Sequence, residues 1–599
     1  MPSSLIKAAA LLLYLLPSVA SFALPAEPLT PRVPWRKHGI WAGQRKRVGS
    51  QTGSGCNHGP SSRGCWNGNF SIDTDMDLQW PNTGKTVKYH LDITNTTLAP
   101  DGFERLMLLV NGQYPGPTIV ADWGDDIEIT VTNKLETNGT GIHWHGLRQL
   151  GSNEMDGVNG ITECPVAPGD TTVYRFKATQ YGTSWYHSHH SVQYGDGLVG
   201  SMLINGPATA NYDIDLGVLP ITDWFHAPIF TVNAASLHAA GPPTADNILI
   251  NGTMTSTFGG KYAVTTLTPG KTHLLRVINT GINNYVHIAL DGHPFTVISA
   301  DFTPIVPYKA TSIVLAVGQR YDIIINATET VDNYWLRVGT GGGKCDGPNA
   351  NGNNTRSIFR YVGAKSENPS NSTAAIPLPG GCYDEANVVP YSKTIVPSKL
   401  PKELKFGFTN TAAQGNLVQW LVNGTPMTVD LDSPTLQAVV EKNSSFATSR
   451  HVFTVGEKHE WQYWVIQMDN ATFSPPLPHP IHLHGHDFYV LDHQENAVWN
   501  GDISRLKTDN PIRRDTATLP AAGYLVLAFE SDNPGAWLMH CHIPFHIAAG
   551  LGVQFLERES EIVGSIGSLQ PMQQNCNKFS TWRKSKFPNG ILINGDSGL

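Results

Sequence analysis

The sequence predicts an all-β molecule made of three consecutive β-sandwich domains. Three observations carry that expectation. One five-part pattern of strands and turns occurs three times along the chain. Glycine and proline are plentiful, at 58 and 41 residues, and β-branched runs recur. With 599 residues the chain is too long for one domain and can bury several large cores.

The N-terminus comes first. Lys7 precedes an apolar stretch from Ala8 to Leu16, and small residues follow. This reads as a secretion signal, residues 1–20, with cleavage expected after Ala20 or Ala23. The stretch is too short to span a bilayer, and no later segment is long enough. Residues 21–47 read as a propeptide, Pro-rich and basic, ending in the dibasic run Gln44-Arg45-Lys46-Arg47. A secreted, extracellular protein is expected. Asn-x-Ser/Thr sequons at Asn69, Asn95, Asn138, Asn251, Asn326, Asn353, Asn371, Asn423, Asn443 and Asn470 then point to a glycoprotein. The oxidising route also permits disulfides. Net charge is mildly acidic, −8, which argues against a nucleic-acid partner. No membrane partner is expected, and a monomer is.

The repeat runs as follows. Each copy opens on an Asn-Gly turn: "LVNGQYPGPTI" from Leu109, "ILINGT" from Ile248, "LVNGTPM" from Leu421. An alternating strand comes next: "DDIEITVTN", "THLLRVINT", "EWQYWVIQMDN". A histidine-bearing segment follows: "GIHWHG", "VHIALDGH", "HPIHLHGH". Then comes a Gly-led strand: "PGDTTVYRF", "VGQRYDIII", "AAGYLVLAF". An aromatic strand closes each copy: "GTSWYHSHH", "NYWLRVG", "GAWLMHCH". Period-two alternation between turn signals means antiparallel β-structure. The middle copy has His287 and His293 but neither His-x-His nor cysteine. Whatever the histidines do, copies one and three do together, with copy two as a spacer. The site therefore belongs at their interface.

On a strand, side chains at i and i+2 share a face. A His-x-His can thus aim two imidazoles at one point. Four such pairs occur, His143/His145, His187/His189, His482/His484 and His540/His542. Eight imidazoles are too many for one tetrahedral zinc and suit a metal cluster. Cys541 sits between His540 and His542, so it faces away from that cluster toward a second site. Trigonal His2Cys ligation with a weak or missing axial ligand is the copper geometry of electron transfer. Cys541, His546 and His479 can supply those three ligands. Leu551 stands at the axial place, where it cannot coordinate and favours Cu(I). The two sites are then on the order of 12 Å apart across one strand. The other cysteines are Cys56, Cys65, Cys164, Cys345, Cys382 and Cys576. Six cysteines allow 15 pairings.

The segments "HWHG", "WYHSHH", "HPIHLHGH" and "HCHIPFHIAAGL" resemble the signatures of multicopper oxidases, and within them the laccases of filamentous ascomycete fungi. The resemblance spans essentially everything after Arg47. It implies three cupredoxin-like domains, with 48–207, 208–390 and 391–599 as their bounds, and four copper ions. It gives a type 1 copper to His479, Cys541 and His546, and a type 2 copper to His143 and His482. A type 3 pair falls to His145, His187, His189, His484, His540 and His542. His190 and His486 match no ligand position. The resemblance pairs Cys56 with Cys65, Cys164 with Cys576 and Cys345 with Cys382. It makes the tail Asp596–Leu599 a plug of the tunnel to the cluster. It places Asp156 near the cluster's water path and Asp246 beside the substrate pocket. The expected activity is one-electron oxidation of phenolic donors coupled to reduction of O2 to water. Two rivals stand beside it: the same machinery with Fe(II) or ascorbate as donor, and a non-enzymatic copper carrier.

Overall fold

The computed structural model describes residues 57–239, 241–341, 345–352, 354–370, 378, 381–411, 415–468 and 476–587. The signal, the propeptide, Cys56, Asn353, Asn371, Asn470 and the tail Asp596–Leu599 lie outside the described residues. Each copy of the repeat folds into two facing sheets. In the first, a sheet ordered Arg105–Val110, Thr86–Leu98, Asp126–Asn133, Thr171–Lys177 faces one ordered Gly116–Asp122, Val199–Asn205, Gly182–Ser188, Ile142–Trp144. The second and third copies each pair a six-stranded with a five-stranded sheet. The architecture is all-β and cupredoxin-like in all three.

Alternation places the cores. Along Asp126–Asn133, Ile127, Ile129 and Val131 point inward while their neighbours are half-exposed. The equivalent strand of the second copy, Thr272–Asn279, is buried on both faces. Its outer face meets the first domain, where Arg276 Nη1 donates to Thr183 Oγ1 at 3.0 Å and to Asp322 Oδ2 at 2.9 Å.

The sheets are not purely antiparallel as expected. Each of the six holds one parallel pair, such as Thr86–Leu98 with Asp126–Asn133, or Val452–Val455 with Gly552–Glu557. A parallel pair needs a crossover, and here the chain makes it by visiting the opposite sheet in between. Period-two patterning registers burial, not strand direction, so the sequence could not reveal this.

In each copy the histidine-bearing strand lies antiparallel to the aromatic strand. The register sets His143 opposite His187, and His482 opposite His540. In the middle copy His287 faces Gly339 instead.

The helix Gln570–Lys586 docks Met572, Cys576 and Phe579 on the core formed with Val158, Ile161 and Ala167. Disulfides join Cys164 to Cys576 and Cys345 to Cys382, and Cys65 is disulfide-bonded. Of the sequons within the described residues, Asn69, Asn95, Asn251, Asn326, Asn423 and Asn443 are exposed and Asn138 is half-exposed. No described helix is long and apolar enough to cross a membrane.

Candidate metal centre

Cys541 ends the strand Gly535–Cys541, and His479 opens the neighbouring strand His479–Leu483. The short helix Pro544–Ala548 follows and carries His546 back toward the thiol. Cys541 Sγ lies 3.3 Å from His546 Nδ1 and 3.5 Å from His479 Nδ1, and the two nitrogens are 3.1 Å apart. Leu551 closes this site from behind. Its N–H donates to the His546 carbonyl at 3.0 Å, and its own carbonyl accepts from Cys541 N–H at 3.2 Å. The Trp420 ring stands 4.4 Å from the His546 ring and 4.8 Å from that of His479. Only His546 of the three ligand candidates reaches solvent; His479 and Cys541 are fully buried.

On the far face of the same strands the eight other histidines converge. His143, His145 and His187 form one group of close ring nitrogens, His143, His482 and His484 a second, His189, His484 and His540 a third. Their tautomers follow from what each ring nitrogen meets. Nδ1–H donates to a carbonyl in His143 (to Asp156, 2.8 Å), His187 (to Ser188, 3.0 Å), His482 (to Asp515, 2.8 Å) and His540 (to Cys541, 2.9 Å). His484 Nδ1 faces Asp156 Oδ2 at 3.0 Å. Each of these rings therefore presents a bare Nε2. His145 is inverted: its Nε2 faces Asp515 Oδ1 at 3.3 Å, so its bare nitrogen is Nδ1.

Two pairs of ring nitrogens now point at one another, and in the first both are bare. His484 Nε2 and His540 Nε2 are 3.2 Å apart, and His145 Nδ1 and His542 Nε2 are 3.1 Å apart. The facing lone pairs of His484 and His540, with no proton between them, repel, and a cation shared by both removes the conflict. The buried Nε2 atoms of His143, His187 and His482 meet no partner among the described residues either. Burial keeps His145, His187, His189, His482, His484, His542 and His546 well below the ordinary imidazole range, and His479 and His540 at about 3. These rings are neutral at neutral pH, the state that ligates. Burial also pushes the Cys541 thiol up, so it stays protonated unless a metal takes the proton's place. Soft thiolate with imidazoles, beside an all-imidazole cluster, fits copper.

Asp156 and Asp515 both touch the cluster. The resemblance points to Asp156 and not to Asp515. His190 and His486 have other partners: His190 Nδ1 lies 3.1 Å from Asn159 Oδ1, and His486 Nε2 lies 2.8 Å from Glu557 Oε2. Asp246 does not line the groove that reaches His546. Its carboxylate accepts from His226 N–H at 2.7 Å and faces that ring at 3.7 Å. The groove is lined by Leu237, Pro243, Trp420, Phe545, His546 and the acid Asp346. Asp346 is 2% exposed, and one oxygen accepts from Tyr285 N–H at 2.8 Å. Burial pushes its carboxyl up to about 7. Nothing local in the sequence marks it: it follows Cys345 in a loop far from every histidine pair.

Family models described as multicopper oxidase match residues 92–209, 215–364 and 409–561. The chain is 45% identical to a laccase of Neurospora crassa over 575 residues, which is 93% of this chain and 91% of that protein. It is 42% identical to laccase-2 of Podospora anserina, across 100% of this chain and 97% of the relative. The crystal structure of the laccase from Botrytis aclada matches with a TM-score of 0.84 at 40% identity, over 91% of this chain and 100% of that one. Fet3p, a multicopper oxidase that functions in iron import, shares the fold at a TM-score of 0.72 and 24% identity. The chain belongs to the multicopper oxidase family, and with that membership comes copper. Within the family it groups with the fungal laccases.

Proposed function

We propose that this protein is a secreted, glycosylated laccase, acting as a monomer on phenolic and aromatic donors with O2 as the oxidant. The facing bare nitrogens of His484 and His540, the latter on the strand of one buried thiol, carry this reading. We assign His479, Cys541 and His546, with Leu551 packed behind them, as the residues that would hold a type 1 copper, and His143 and His482 as those that would hold a type 2 copper. His145, His187, His189, His484, His540 and His542 then hold a type 3 pair, for four coppers in all. The domain bounds we propose are 48–207, 208–390 and 391–599.

Bound copper supplies one-electron acceptance at the Cys541 site and four-electron reduction of O2 to water at the histidine cluster. The chain supplies the rest. The groove holds an aromatic ring against His546, the one type 1 ligand with an edge in solvent, so that electrons leave without a deep pocket. Cys541 is covalently joined to His540 and His542, which gives the electron a short path between the sites. Asp156 fixes the rings of His143 and His484 through its carbonyl and carboxylate. A phenol gives up a proton as it gives up its electron. We assign acceptance of that proton to Asp346 in the groove, with Asp246 as the competing candidate.

Among the described residues the lining is largely apolar with a single carboxylate, which favours an aromatic ring over Fe(II), a cation that prefers several oxygen ligands. A copper carrier has no use for two sites wired by one strand. Oxygen uptake by the copper-loaded protein with phenols, Fe(II) and ascorbate tests all three readings. Uptake driven by phenols is expected. A blue protein that consumes no O2 with any phenol is a carrier, and preference for Fe(II) makes it a metallo-oxidase.

A further inference from the structure

The second domain, which offers no histidine to the cluster, nevertheless reaches it. The residues are Gly318, Gln319 and Arg320, the start of the Gly-led strand of the middle copy. Arg320 is fully buried. Its Nη1 donates to Asp515 Oδ1 at 2.7 Å, and its Nε donates to the Thr183 carbonyl at 3.1 Å. Asp515 belongs to the third domain, and Thr183 to the first-domain strand Gly182–Ser188 that carries His187. One guanidinium thus ties both neighbouring domains at the level of the cluster.

Asp515 passes this hold on to two rings. Its Oδ1 faces His145 Nε2 at 3.3 Å, and its carbonyl accepts from His482 Nδ1–H at 2.8 Å. His145 comes from the first domain and His482 from the third. The carboxylate decides the His145 tautomer: with Nε2–H aimed at Asp515, the bare nitrogen is Nδ1, opposite to the rings held by backbone carbonyls. Two neighbours steady the arrangement. Gln319 Nε2 donates to the Thr516 carbonyl at 3.0 Å, and Thr516 Oγ1 donates to Asp515 Oδ1 at 2.9 Å. Gly318 has φ of +90°, and a Cβ there would sit 3.1 Å from His145 Cε1 and 3.2 Å from His542 Cδ2. Only a glycine lets this loop pass so near both rings.

An isolated buried carboxylate would not keep this pose. Asp301, also fully buried, lies beside Asp515 and accepts from its N–H at 3.2 Å. Two buried carboxylates repel unless cations sit between them. Arg320 Nη1 lies 2.7 Å from Asp515 and 3.5 Å from Asp301, and Arg514 pairs with Asp301 at 3.1 Å. The Arg320 fork bonds both Asp515 and the His187 strand.

We propose that Arg320 is a positioning residue of the copper cluster, acting through Asp515 to hold His145 and His482 in their ligating orientations. The second domain is then a clamp on the O2-reducing site and not a spacer. The inference rests on the copper assignment above.

The test uses the full-length copper-loaded protein with Arg320→Lys, Arg320→Gln and, as a control, Arg514→Gln. A lysine keeps the charge but lacks the planar fork that bonds Asp515 and Thr183 together. Copper content, the electron paramagnetic resonance spectrum of the type 2 copper and the blue band are measured, with reoxidation of the reduced enzyme by O2. Both Arg320 variants should keep the blue band while the type 2 spectrum changes and reoxidation slows about 10–100-fold, the usual cost of removing a partner behind a metal ligand. Arg514→Gln removes a neighbouring buried cation that does not bond the Asp515 side chain. It should lower thermal stability and leave the type 2 spectrum alone. Arg320→Lys with wild-type spectrum and reoxidation overturns the proposal, as does an equal spectral change in Arg514→Gln. If the wild type itself holds no copper at the histidine cluster, the copper assignment fails and not the clamp alone.

Discussion

The Nδ1–H of His540 donates to the carbonyl of the next residue, Cys541, at 2.9 Å. This one bond turns the His540 Nε2 toward the histidine cluster while the Cys541 thiol points the other way, 3.3 Å from His546 Nδ1. Two adjacent residues thereby serve two sites, and the sites should be separable by mutation.

Cys541→Ser should abolish the blue band and phenol oxidation, because a hydroxyl does not replace a soft thiolate. The histidine cluster should keep its copper, since none of its rings depends on the sulfur. Copper analysis and absorbance check this. A blue mutant sinks the assignment of Cys541.

Leu551→Met should lower the potential of the type 1 site. Leu551 is fully buried and bonded through its backbone to both His546 and Cys541. A thioether at that place adds a weak ligand that stabilises Cu(II). Redox titration reads the shift; an unchanged or higher potential puts the Leu551 side chain away from the copper.

Asp346→Asn should slow phenols and spare donors that lose only an electron. As a proton acceptor Asp346 must be ionised, and its carboxyl is pushed up to about 7. Phenol oxidation should therefore rise with pH through about 7 in the wild type, and the mutant should lack that rise. The rate with ferrocyanide should match wild type. If Asp246→Asn shows this behaviour and Asp346→Asn does not, the acceptor is Asp246.

Replacing Cys164 and Cys576 together by alanine should cost about 2–5 kcal/mol of stability. The bond ties the helix Gln570–Lys586 to the first domain across 412 residues of sequence. Thermal unfolding should begin earlier, with the blue band of the folded protein unchanged. An unaltered melting temperature shows that packing of Met572 and Phe579 alone holds the helix.

Stripping copper should also lower the melting temperature. The apo protein keeps lone pairs of His484 and His540 pressed together at 3.2 Å. A metal that binds only the folded state stabilises it by mass action. Differential scanning calorimetry with and without chelator measures this, and equal midpoints would count against a preformed site.

Local patterning made much of this legible in the sequence. In pairs such as His143/His145 and His540/His542 the first histidine lies on a strand and the second one residue past its end, close enough for the strand's period to bring both to one face. The same period sends Cys541 to the opposite face. The threefold repeat announced three sandwiches because each strand carries its own alternation and each turn its own glycine. What waited for tertiary structure depends on residues far apart in the chain. The His145 tautomer is decided by Asp515, 370 residues later, and Asp515 is held by Arg320, 195 residues before it. Asp346 enters the groove of His546 only because a loop of the second domain packs there, while Asp246 turns to His226. Local spacing determines which face a side chain takes. Which partner waits on that face is settled by the packing of domains, and no short stretch of sequence encodes it.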